Sequence, residues 1–467
     1  MNHLANVTLL PVLAALPLAA CSEVSATPAA PSTQAPGPSA AAPAPTSTPG
    51  QDPAVDQATL EAWTKEIKAQ VAELRKREFP RDVDVAVSDE ATLKKYIADR
   101  QEKAETPEDR ANSELVAKLM GVLPAKLDLQ GHMMEILEGQ VGGFYDPETE
   151  GFYLMESFGG GLARHILAHE LTHALDDQLY DLDGTFEALE GNADALWAFQ
   201  ALVEGSGTQI GGEWTTKYGK LSMEEQMEAA TMGMDVLADA QPYVYKPLLG
   251  AYLRGQMFLC RVKSLMELAM KAPTPAPDDY ERLFRNPPLS SEQVLHPEKY
   301  WVEAKRDDPI PVAIDAGSLP EGWSVAREDT LGELGLALFV EPPADRKGID
   351  GPMAVMGVKY TFDAAAGWGG DRYVLLRNGE AYLLFVATTW DRAEDAKEMK
   401  AELAKLAPHL ETSLAELASV RGVSGSGFAH EDAGWPHGIV LRAWIGTDAA
   451  GAASAAKALR VEVGGER

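Results

Sequence analysis

HILAHELTHALDDQ, residues 165–178, places three of the chain's nine histidines within nine positions, next to three acids. Read as a helix, His169 and His173 are four residues apart and project from one face about one turn apart. Both imidazoles can then reach a single metal ion. Glu170 sits beside the first histidine, where a carboxylate can take a proton from a water activated at that ion. Leu167, Leu171, Ala174 and Leu175 form an apolar stripe, which predicts an amphipathic helix with His169, Glu170 and His173 on its other side and Asp176 and Asp177 nearby. An ordinary solvent-facing helix would carry Lys and Arg there, so the pattern predicts a metal-binding helix. His165 is set apart: three histidines spread over this length span about 12 Å of helix rise and cannot all bind one ion. His165 is therefore read as a neighbour of the cleft.

A catalytic zinc site keeps three protein ligands and leaves a position for water. Downstream carboxylates in reach are Glu190 in FEALEGNAD and Glu204 in ALVEGSG. If the return helix starts at Gly191-Asn192, Glu204 comes level with the histidines; if it starts at Gly184, Glu190 is closer. Glu204 is favoured, and Glu190 with Asp194 remains the alternative. An oxyanion formed by attack on a carbonyl also needs a donor, for which His296 and Tyr300 in LHPEKY are the candidates. DDQLYDLDG (176–184) clusters acids around a turn and would admit a Ca2+ ion, though without EF-hand spacing; a solvated acidic loop is the better reading.

The rest of the chain frames this helix. At 467 residues it is long enough for two domains, and its net charge of -30 excludes a nucleic-acid backbone as partner. Residues 1–21 read as a lipoprotein signal peptide: an apolar run from Val7 to Ala20 is too short to span a bilayer and ends at Leu18-Ala19-Ala20-Cys21, which resembles a lipobox. Cys21 is the expected lipidation site, although MNHLAN lacks the usual basic residues. Residues 22–57, rich in Ala, Pro, Ser and Thr, read as a disordered tether. The membrane contact expected is this N-terminal anchor alone, in the extracytoplasmic cell envelope. Cys260 in QMFLC reads as a buried small hydrophobe.

Residues 58–307 read as one domain, mainly helical, with a short hairpin near 140–145 and 151–156 joined by DPETEG. FYLMES is a candidate edge strand to which a peptide could add. Residues 308–467 read as a smaller α+β domain, with strands at VMGVKYTF, RYVLLR, AYLLFVATTW and GIVLRAWIG and a helix at DRAEDAKEMKAELAKLAPHLE. The fold class expected is α+β.

HELTH followed by Ala174 is similar to the active-site helix of the thermolysin-like zinc peptidases, the gluzincins. With FYDPETEGFYL, HELTHALDDQ, ALVEGSG, SSEQVLHPEKY and GWGGDRY, the chain resembles a family of bacterial secreted or lipid-anchored zinc metallopeptidases from about Gly142 to Trp390. That resemblance implies a zincin-like domain with His169, His173 and Glu204 holding one Zn2+ per chain and Glu170 as general base. Ser206-Gly207 departs from the acidic or small pair expected after VEG. The expected function is hydrolysis of peptide bonds in a peptide or protein substrate. The alternative is a zincin-fold lipoprotein without activity, with a binding or structural role in the envelope.

Overall fold

The computed structural model describes residues 55–464 apart from 139–141, 147, 220 and 232–233. The signal segment, Cys21 and nearly all of the tether lie outside the described residues. The protein is α+β. No helix among the described residues is long and apolar enough to cross a membrane.

The helices that position the site are α1 (Gln57–Arg75), α2 (Pro107–Leu119), α3 (Gly160–Tyr180), α4 (Ala193–Trp214), α5 (Pro242–Leu259), α6 (Ser291–Leu295), α7 (Gly332–Val340) and α8 (Ala393–Val420). The strands are β1 (Asp84–Ser88), β2 (Gly143–Asp146), β3 (Gly151–Met155), β4 (Val312–Asp315), β5 (Ser324–Asp329), β6 (Trp368–Asn378), β7 (Ala381–Trp390), β8 (Gly425–Asp432), β9 (Gly438–Gly446) and β10 (Arg460–Val463). A small sheet has the order β1-β3-β2, with β1 parallel and β2 antiparallel to β3. A five-stranded antiparallel sheet runs β5-β6-β7-β9-β8, and β4 pairs with β10.

Two cores follow from this arrangement. One joins α1, α3, α4 and the small sheet through Ile67, Leu154, Leu167, Leu171 and Leu202. The other packs α8 on the large sheet through Leu403, Leu410, Leu375 and Leu384, and also takes in Leu115 and Leu119 of α2 and Phe339 of α7. Helix α2 thus packs on the C-terminal sheet although it lies far upstream in the chain.

Several expectations change. Helix α3 is not half exposed: Leu162–Asp176 is buried at every position but Arg164, so its polar face looks into protein. FYLM is the central strand of its sheet, because β1 pairs along its free side in parallel; the edges belong to β1 and β2. VMGVKYTF forms no strand. Pro352 and Gly357 bring a short helical turn there, and Tyr360 packs over Gly250 of α5.

A buried polar seam joins the two cores. Asp371 of GWGGDRY accepts from the Leu331 and Gly332 amides at 2.9 and 2.8 Å and from the Trp368 indole at 2.9 Å, capping α7. Ser291 accepts from the Leu334 amide and gives its own amide to Asp194 at 3.1 Å. Asp329, closing β5, accepts from the Ala193 amide at 2.7 Å. Gly332 lies at φ +68°, and a Cβ there would meet the Asp194 carboxylate at 1.7 Å. The stretches SSEQ and GWGGDRY therefore act in this seam.

Burial pushes the Asp194 carboxyl up to about 7. In the folded state it holds its proton above the pH at which the unfolded chain releases it. Its stabilising contribution is complete below the unfolded value and is lost as pH rises toward 7. Asp194→Asn keeps the acceptor for the Ser291 amide without a titrating group. Urea unfolding should show wild type losing about 1–3 kcal/mol relative to Asp194→Asn between pH 4 and 7. Parallel pH profiles would contradict this.

Candidate metal centre

Helix α3 begins without a side-chain cap, at Gly159; instead the Glu225 carboxylate accepts from the Gly161 amide at 2.6 Å. Helix α4 begins where its sequence allows an N-cap: the Asn192 side chain accepts from the Ala195 amide at 3.1 Å. That start resolves the choice of register. Glu190 falls in the turn before α4, and Asp194 in its first turn, bound to Ser291. Glu204 falls level with the histidines.

Four groups meet between α3 and α4. His169 Nε2 lies 2.9 Å from His173 Nε2, and Glu204 Oε2 lies 3.3 and 3.5 Å from the same two nitrogens. Glu170 closes the group, within ligand reach of both imidazoles. All four residues are 0 % exposed. Helix α4 comes this close because residue 207 is glycine: a Cβ there would stand 2.7–2.8 Å from the imidazole atoms of His169 and His173. The VEGSG glycine that departs from the expected pair thus has a steric reason.

Electrostatics follow from burial. Burial pushes the Glu170 carboxyl up to about 8, against the pull of His173. Neither of its oxygens has a side-chain partner. Burial, with His173 alongside, holds His169 below the usual imidazole range. Burial would lower His173 too, but the Glu204 carboxylate raises it; the two imidazoles in turn pull Glu204 down despite its burial.

The donor set fits a Zn2+ ion. Nitrogen and oxygen ligands about 2.0–2.1 Å from a tetrahedral ion stand roughly 3.3 Å apart, close to the separations in this triangle. Two imidazole nitrogens 2.9 Å apart cannot both present lone pairs to each other, whereas both can present them to a cation. Glu204 Oε1 and both Glu170 oxygens are buried without side-chain partners.

The other candidates lie elsewhere. His296 Nε2 is 2.9 Å from Glu333 Oε1, in the seam, and the Tyr300 hydroxyl donates to the Asn286 carbonyl at 2.5 Å. Neither belongs to the group around His169. His165 is buried with Nδ1 2.6 Å from the Thr215 hydroxyl, and burial lowers it to about 4. The acids of DDQLYDLDG do not converge as an ion site: Asp177 accepts from the Tyr145 hydroxyl and the Leu182 amide, and Asp181 from the Gly184 amide. A second carboxylate grouping, Glu292, Asp307 and Asp391, encloses the Lys299 ammonium at 2.6–3.0 Å, which occupies the place a metal would take. Burial pushes the Cys260 thiol up to about 12.

Sequence reading missed Gly207, Tyr145 and Tyr252. The Tyr252 ring of α5 lies 6.0 Å from that of His169, and Tyr145 runs from its amide near Glu170 to Asp177. Asp177 lines an open cleft of about 740 Å³ with Arg81, Glu148, Tyr180 and Asp181.

Residues 323–431 match a family described as a domain of unknown function (DUF8575), a segment that runs from β5 into β8 and does not include the cluster of His169, Glu170, His173 and Glu204. No curated protein and no solved structure matches the chain.

Gly207→Ala should raise helix propensity by about 1 kcal/mol while forcing α4 away from the imidazoles. The expected result is a folded protein by circular dichroism with much less than one bound zinc by elemental mass spectrometry. Full zinc occupancy would refute the close-approach argument.

Proposed function

We propose that the protein is a zinc-dependent peptidase with a zincin-like helical body, anchored in the bacterial cell envelope through Cys21. The observation that carries the reading is the His169–His173–Glu204 triangle with the unpartnered Glu170 carboxylate beside it. His169 Nε2, His173 Nε2 and Glu204 Oε2 would hold the metal. When bound, the metal supplies Lewis acidity, polarising a peptide carbonyl and lowering the pKa of water.

Glu170 would move the proton. Its carboxylate lies within ligand reach of both imidazoles and has no side-chain partner, so it is free to accept a proton beside the metal and return it. Its carboxylate oxygens would take the proton from the attacking water and deliver it to the leaving amine. Tyr145 links Glu170 to the open cleft: its hydroxyl donates to Asp177, which lines the cleft, and its backbone amide faces Glu170. His296 is not part of this mechanism, since its Nε2 is committed to Glu333.

One observation favours a second reading, an inactive zincin-fold lipoprotein whose metal is structural. The four residues have no exposed surface, as in closed structural sites.

Turnover of a denatured mixed-peptide substrate separates the two. Wild type should cleave it, and Glu170→Gln should keep its zinc while losing at least about 100-fold in rate. His169→Ala and Glu204→Ala should lose the zinc; Glu190→Ala should keep it. A zinc-loaded wild type that cleaves nothing would leave the structural reading standing.

A further inference from the structure

A buried ion pair lies just beyond the metal-binding cluster. Arg75, the last residue of α1, is 1 % exposed, and its Nη1 donates to Asp176 Oδ1 of α3. The other oxygen, Asp176 Oδ2, accepts from the Ser206 hydroxyl of α4 at 2.6 Å. The same Nη1 lies 3.2 Å from Ser206 Oγ, and the guanidinium sits 4.0 Å above the Tyr280 ring.

We propose that Arg75 is a positioning residue of the metal centre, acting through Asp176 and Ser206 to keep Glu204 level with His169 and His173. The proposal rests on the metal-binding part of the reading above and not on turnover.

Placement is the first argument. Asp176 stands three residues after His173, and Ser206 two residues after Glu204. Their bond therefore ties α3 to α4 within about one turn of the point where the ligands meet. Both carboxylate oxygens of Asp176 are spent on this tie, so its orientation is fixed from two sides. Gly207 follows at once and contributes no side chain of its own to the interface at that level.

Energetics is the second. A buried ion pair gains little for stability, since desolvation can exceed the Coulombic gain, and apolar residues of similar volume often replace one at no loss. Arg75 is also incompletely satisfied: Nε and Nη2 have no hydrogen-bond partner. A pair kept only for packing would be better served by apolar side chains. What the pair supplies that they cannot is a directed bond to Ser206.

The test uses the whole chain, with apo protein titrated with Co2+ for its ligand-field spectrum, Zn2+ affinity measured against a competing chelator, and thermal melts taken in EDTA. The variants are Arg75→Met with Asp176→Leu, which removes both charges at similar volume, and Ser206→Ala, which removes only the directed bond. The expected result is a double variant that melts like wild type without metal, binds Zn2+ about 10–100-fold more weakly, and shows an altered Co2+ spectrum. Ser206→Ala should shift both metal readouts the same way, to a smaller extent. If the double variant fails to fold, Ser206→Ala decides on the same two readouts. Wild-type affinity and spectrum in the folded variants would overturn the proposal and leave the pair as packing. Absence of metal binding by wild type itself would overturn both the proposal and the metal reading, which keeps the two failures distinct.

Discussion

Helix α4 can touch two imidazoles of α3 because it carries glycine where a helix normally carries a side chain. A Cβ at residue 207 would overlap both rings, and one at residue 205 would stand 2.3 Å from the backbone of Gly255 in α5. On the far side, a Cβ on Gly255 would strike the Ala201 carbonyl at 1.8 Å. Helix α4 is therefore squeezed between α3 and α5 at separations that no larger residue permits. Glycine in a helix interior costs stability, roughly 1 kcal/mol against alanine at each site. Placing these glycines around Glu204 makes sense where close approach of that one carboxylate to the histidines outweighs helix propensity.

The same squeeze excludes water, and exclusion of water sets the electrostatics. Two imidazoles and two carboxylates share a volume with no exposed surface. Burial disfavours charge on each of them, so they divide into groups held charged by a neighbour and groups left neutral. His173 and Glu204 stabilise each other's charges, while Glu170 is driven up toward neutrality and His169 is driven down. On the proposed reading a dication enters this set and reverses the balance, because every lone pair that is awkward without it becomes a ligand.

Much of this was legible in the residues. The spacing of His169 and His173 fixed their common face. The Asn192 cap fixed the start of α4, and that start put Glu204 rather than Glu190 level with them, since a rigid helix carries register from its cap. What periodicity could not convey was the environment. A pattern that reads as amphipathic became a helix buried nearly all round, because β2, β3, α1 and α4 all pack against it. FYLM became a central strand because β1, contributed from an earlier part of the chain, pairs along it. The Arg75–Asp176 pair is also out of reach of local reading. Its partners are 101 residues apart, and either one alone reads as a surface charge.

The distant C-terminal sheet bears on the same register. Asp329, where β5 ends, holds the first amide of α4, and Asp194 in that first turn is held by Ser291 and fills the space that Gly332, lacking a Cβ, leaves open. From Ala193 to Glu204 the helix rises about 16 Å as one rigid rod. A displacement or rotation at its start would reach the carboxylate nearly undiminished, and a shift of 1 Å is large against ligand separations near 3 Å. Asp371 in turn caps α7, and α7 carries the Gly332 that makes room for Asp194. GWGGDRY and SSEQ, which offer no reacting group, thus acquire a physical role. They anchor one end of the rod whose middle holds Glu204, while the Asp176–Ser206 tie holds it beside the histidines.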